Sequence, residues 1–132
     1  DGLQVRDWIH VRDHARALLT VLKQGEPGSI YNIGGGNERT NLDVVRSVLR
    51  VLDKPESLIR HIEDRPGHDR RYSMNSSRLE AELGWQARAD FDVGIEETVQ
   101  WYVDNRAWLD SVATGEYRNY YSAWYSGGRT PG

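Results

Sequence analysis

Cysteine is absent from this 132-residue chain, and phenylalanine and methionine occur once each. Without thiols there can be no disulfide frame, no thiol nucleophile and no Cys-based zinc site. Surplus positive charge is missing as well. The 17 Lys and Arg stand against 20 Asp and Glu for a net charge of −3, which argues against the basic signature of a general nucleic-acid binder. No apolar run approaches the roughly 18–20 residues that cross a bilayer, so no membrane partner is expected. Residues 1–6 lack the layout of a signal peptide. They lead straight into a strand-like stretch with nothing before it to pair with, which gives the expectation of a piece cut from a longer protein.

What is present suffices for a folded α/β segment. Hydrophobic residues make up 38% of the chain, and a domain of this size buries about two thirds of its extended surface. After a strand over residues 5–9, Ala15, Leu18, Leu19 and Leu22 fall at i, i+3, i+4 and i+7, predicting a helix over about 12–23. Residues 29–33 read as a short buried strand and 34–37 as a turn. Asn41 is the expected N-cap of a helix carrying Leu42, Val44, Val45, Val48, Leu49 and Leu52. Residues 59–62 read as another strand, and 77–80 as a capping box for a short helix ending at Gly84. A further helix is predicted over 92–104. Eight of the thirteen aromatic residues lie from Trp101 onward, as Trp101, Tyr102, Trp108, Tyr117, Tyr120, Tyr121, Trp124 and Tyr125. They read either as a docked helix pair or, for one or two, as a pocket wall.

Few residues suggest chemistry. Gly34-Gly35-Gly36 follows a predicted strand, but Arg39 stands where G-x-G-x-x-G needs its last glycine, so a turn with positive φ is the expectation. His10 and His14 have i, i+4 spacing, yet Val11 stands where the zinc motif needs Glu. No metal is expected, and His10 should pack at the strand-to-helix junction. Residues 64–72, Asp-Arg-Pro-Gly-His-Asp-Arg-Arg-Tyr, crowd three arginines around a Pro-Gly turn. Guanidinium forks match phosphate oxygens, and with Arg6 and a capping Asn they would describe an anionic-ligand site such as one for a diphosphate. The alternative is a solvated turn of Asp–Arg pairs.

Residues 5–17 resemble a segment of the dTDP-glucose 4,6-dehydratases, a family of extended short-chain dehydrogenase/reductases. So do Tyr31 to Gly35, Asn37-Glu38, Thr40-Asn41, Asp64 to Tyr72, Glu82 to Trp85, and Gly94-Ile95 through Trp101-Tyr102, in the same order. His10 and Arg12 depart from the family's common Tyr and Glu. The resemblance implies the C-terminal substrate-binding portion of a longer reductase, covering residues 1–132. Residues 12–40 would supply a helix and strand that complete, and pack on, an absent Rossmann domain. Leu18, Leu19, Leu22 and Ile30 would then be exposed here.

It further implies a parent that binds NAD and dTDP-glucose, dimerises through its other half and is cytoplasmic. The substrate would be held by Arg6, Asn41, Asp64, Arg65, Pro66, Gly67, His68 and Tyr125. Catalytic and cofactor-binding residues would be absent, because no Tyr precedes Lys23 or Lys54 by four positions and no Thr-x-Asp-Glu occurs. Fragments of UDP- or GDP-sugar epimerases, dehydratases or decarboxylases are the alternative, with a non-catalytic nucleotide-sugar-binding module as a third reading.

Overall fold

A computed structural model describes residues 1–115, which fall into two units divided between Glu97 and Thr98. In the first unit, strand β1 (Val5–Asp7) pairs antiparallel with β2 (Glu38–Thr40), with Val5 opposite Thr40 and Asp7 opposite Glu38. The other edge of β1 meets the end of the arginine-rich loop. Val5 N–H donates to the Arg70 carbonyl at 2.8 Å, and Tyr72 N–H donates to the Val5 carbonyl at 3.0 Å. The short strand is thus a spine that fixes the loop on one side and the start of the next helix on the other.

Helix α1 (Val11–Gln24) begins at His10, whose Nδ1 accepts the Arg12 N–H at 3.3 Å, so the expected junction role of His10 holds. The inner face of α1 carries Asp13 and Ala17, and Ala17 packs with Leu79 and Trp85 as the buried core. Asp13 accepts backbone N–H groups from Arg88 at 2.7 Å and Ala89 at 2.8 Å, and the Arg16 guanidinium at 2.6 Å. Burial pushes its carboxyl up, but those donors outweigh burial and hold it below the ordinary carboxylate range. The apolar stripe seen in the sequence points the other way. Leu18, Leu19 and Leu22 are 53%, 55% and 81% exposed and Ile30 is 80% exposed, as expected for these four side chains.

Four expectations need correction. Residues 29–33 form no strand, although their accessibility alternates as in one, because ladder hydrogen bonds need a neighbouring strand and none among the described residues lies beside them. Residues 59–62 are likewise irregular and follow a 3₁₀ turn at Glu56–Leu58. The described part of the α/β fold is therefore mostly helical around a two-stranded sheet. Helix α2 (Asn41–Val51) is capped by Thr40, not Asn41. The Thr40 hydroxyl accepts the Asp43 N–H at 3.1 Å and Asp43 accepts the Thr40 N–H at 3.2 Å, a reciprocal box that the Asn side chain cannot enter from the first helical position.

Helix α3 (Ser77–Leu83) does stop at Gly84, whose φ of 64° is left-handed, but its N-cap is Ser76 and makes no side-chain cap bond, so the box expected at 77–80 does not form. Helices α4 (Phe91–Asp104) and α5 (Arg106–Ala113) follow. In the second unit Trp101 meets Tyr102 and Trp108 edge-on, with ring centroids 5.3 and 5.1 Å apart. Tyr117, Tyr120, Tyr121, Trp124 and Tyr125 lie outside the described residues.

Candidate functional site

The arginine-rich loop is built on a tight turn. His68 N–H donates to the Arg65 carbonyl at 3.3 Å, with Pro66 second in the turn and Gly67 third at φ 70°. That positive φ is what a type II turn asks of its third residue, and proline presets the second. Beside the turn lies a cleft of about 360 Å³ lined by Gln4, Asn41, Leu42, Ile59, Asp64, Arg65 and His68, among others. Asn41 reaches it because Thr40 does the capping. Its backbone N–H goes to the Gln4 carbonyl at 2.9 Å.

A chain of polar contacts runs along the cleft edge. Gln4 Nε2 donates to Asp64 Oδ2 at 2.7 Å, His68 Nδ1 lies 2.6 Å from Asp64 Oδ1, and His68 Nε2 lies 2.9 Å from Arg6 Nη2. The His68 contact, then the Arg65 backbone N–H, lower the Asp64 pKa below its ordinary value against the cost of burial. Arg6 also donates to the Val5 carbonyl at 2.7 Å and the Asp69 carbonyl at 3.1 Å, and its guanidinium stands 4.7 Å from the Tyr72 ring centroid. Three of its five N–H donors are thereby used, leaving Nε–H and one Nη1–H.

The loop's other arginines differ. Arg70 grips Asp1 through both carboxylate oxygens, at 2.9 and 2.8 Å. Arg71 grips Glu38 with Nε at 2.8 Å and Nη2 at 2.5 Å. That grip, with the Ser73 hydroxyl, brings the Glu38 carboxyl down to about 2. The Arg65 guanidinium makes no ion pair or hydrogen bond among the described residues. The solvated-pair reading therefore fits Arg70 and Arg71, and does not fit Arg65.

Of the residues expected to form a site, Asn41, Asp64, Arg65 and His68 line one cleft, and Arg6 is bonded to His68. Pro66 and Gly67 shape the turn rather than the lining. Tyr125 lies outside the described residues. Sequence reasoning missed Gln4, since a glutamine next to a strand carries no signal of its own. It missed Asp7 too, whose carboxylate accepts the Gly35 and Asn37 N–H groups at 2.9 Å each.

The Gly34–Gly36 turn does not fit a phosphate, because the Asp7 carboxylate already occupies it, taking the N–H groups of Gly35 and of Asn37 just beyond. A Cβ on Gly35 would also lie 2.0 Å from the Trp8 carbonyl oxygen, so glycine serves close packing there, while Gly36 has the expected positive φ, 67°. Among the described residues, no group of three or more His, Asp or Glu side chains could hold a metal ion, and no helix is long and apolar enough to cross a membrane.

A family model described as GDP-mannose 4,6 dehydratase matches residues 1–98. A dTDP-glucose 4,6-dehydratase of Escherichia coli is 47% identical over 128 residues, covering 89% of this chain and 35% of that protein. The crystal structure of the Streptomyces venezuelae dTDP-glucose 4,6-dehydratase DesIV, with NAD and TYD bound, is 44% identical with a TM-score of 0.78, over 82% of this chain and 34% of that one. A Bacillus anthracis dTDP-glucose 4,6-dehydratase in complex with NAD is 46% identical with a TM-score of 0.76, over 82% and 34%. The chain thus spans about a third of the length of the relatives it matches.

Proposed function

Since the chain belongs to the family described as GDP-mannose 4,6 dehydratase and is a homologue of the dTDP-glucose 4,6-dehydratases within the extended short-chain dehydrogenase/reductases, we propose that it is the C-terminal, nucleotide-sugar-binding part of a longer NAD-dependent dTDP-glucose 4,6-dehydratase. The observation that carries this reading is the Arg65 guanidinium, free among the described residues at the rim of the cleft that Asn41, Asp64 and His68 also line. A diphosphate offers charge-assisted acceptors for it and for the two free donors of Arg6. The Asn41 amide can donate from the helix start, and Tyr125, outside the described residues, is a further substrate-binding residue that the family resemblance implies. In the parent, dTDP-glucose would lose water and become a 4-keto-6-deoxy sugar.

The cofactor belongs elsewhere in this reading. Among the described residues this chain offers NAD no fitting glycine loop, since its glycine turn is packed on Trp8 and bonded to Asp7. It also lacks the Tyr-x-x-x-Lys pair, so the isolated chain should bind without turning over. The outward leucines of α1, with Ile30, would pack on the dinucleotide-binding half, which would also carry the parent's dimer contact in the cytoplasm. Competition binding tests the reading: dTDP should bind the 132-residue chain more tightly than UDP or GDP. A preference for UDP or GDP would move it to an epimerase or another sugar-nucleotide dehydratase. No binding of any of the three would end it.

A further inference from the structure

Gln4 is only 5% exposed, and its amide is spent on a single acceptor, Asp64 Oδ2, at 2.7 Å. The opposite carboxylate oxygen lies 2.6 Å from His68 Nδ1. On the far side of the ring, Nε2 faces Arg6 Nη2 at 2.9 Å. A guanidinium nitrogen can only donate, so Nε2 must carry the lone pair and the proton must sit on Nδ1, directed at Asp64. With the proton on Nε2, two N–H groups would oppose each other across that gap and the guanidinium would turn away.

We infer that Gln4 is a positioning residue which, by holding the Asp64 carboxylate, fixes the tautomer of His68 and through it the direction of the Arg6 donors. The same residue takes the Asn41 N–H on its carbonyl at 2.9 Å, so it registers both sides of the cleft. This inference rests on the nucleotide-sugar reading for its ligand, while its first link, the tautomer, can be measured without any ligand. Gln4 Nε2 donates to Asp64 rather than into the cleft. Its effect arrives through two other side chains, as second contacts of a binding group commonly do.

The test is Gln4→Met, which keeps the length and bulk of the side chain and removes the donor. In the ligand-free wild-type chain, ¹⁵N NMR of the His68 ring should report the Nδ1–H tautomer, and in Q4M a mixture of tautomers. Dissociation of dTDP from Q4M should be about three- to tenfold easier, the worth of one ordinary hydrogen bond. Gln4→Lys, which retains a donor to Asp64, should keep the wild-type tautomer. A wild-type His68 protonated on Nε2 overturns the inference even if Q4M does not fold. Q4M with wild-type tautomer and wild-type affinity overturns the role of Gln4 alone. Wild type that does not bind dTDP overturns the nucleotide-sugar reading, and the tautomer then decides the relay by itself.

Discussion

Arg65, Arg70 and Arg71 carry the same group within seven residues, and their partners set them apart. Arg71 is committed to Glu38, and the sign of that linkage can be stated. The Glu38 carboxyl is lowered from 4.5 to about 2, so its contribution to stability is complete above 4.5 and fades as the pH falls toward 2. Titration followed by ¹³C NMR of the Glu38 carboxyl should therefore give a midpoint well under 4.5 in the wild type, and one near the ordinary value in Arg71→Gln. A wild-type midpoint at the ordinary value would show that the pair does not persist in solution. The motif of three arginines was legible in the sequence. Which arginine stays free was not, because that depends on Asp1 and Glu38, brought in by pairing on both edges of β1.

At the scale of elements, α1 to α4 were visible in the sequence from spacing or stop signals, with boundaries moved by the physics of ends, whereas α5 was foreshadowed only by the aromatic tail read as a docked helix pair. Thr40 and Asn41 are both good capping residues, and the sequence pattern does not choose between them. The choice falls to Asp43, three residues after Thr40, which closes the reciprocal box. Thr40→Ala should thus cost about 1 kcal/mol in urea unfolding, whereas Asn41→Ala should cost much less, since its side chain lies outside the cap. Equal losses would contradict the assignment. The strand expected at 29–33 failed for the opposite reason: its residues alternate correctly, but a strand exists only with a partner. Leu79 gives a packing check, since it is fully buried between α1 and Trp85. Truncation to Ala there should cost about 2–5 kcal/mol.

On the scale of the whole molecule, the outward stripe of α1 is the main anomaly. Soluble monomers seldom leave several neighbouring large apolar side chains exposed, yet Leu18, Leu19 and Leu22 share one helix face and the buried face carries Asp13 and Ala17. Periodicity revealed the stripe and could not say which side it faced, because the inner face is made of small and polar residues. Packing against the other part of the longer reductase proposed above would account for it. The 132-residue chain should associate with rising concentration in light scattering, and Leu18→Lys with Leu22→Lys should suppress that association without loss of helix signal. A wild-type chain that stays monomeric at high concentration would count against the docking face.

The central claim is that this fold presents Arg65 to a diphosphate, and calorimetric titration of dTDP into the 132-residue chain and its Arg65→Lys variant tests it most directly. Lysine keeps the charge and loses the fork. Affinity should weaken about ten- to a hundredfold, the worth of a bidentate charge-assisted contact, with Arg70→Lys close to wild type because that arginine is bound to Asp1. Equal affinity for wild type and Arg65→Lys, or a larger loss from Arg70→Lys, would contradict it.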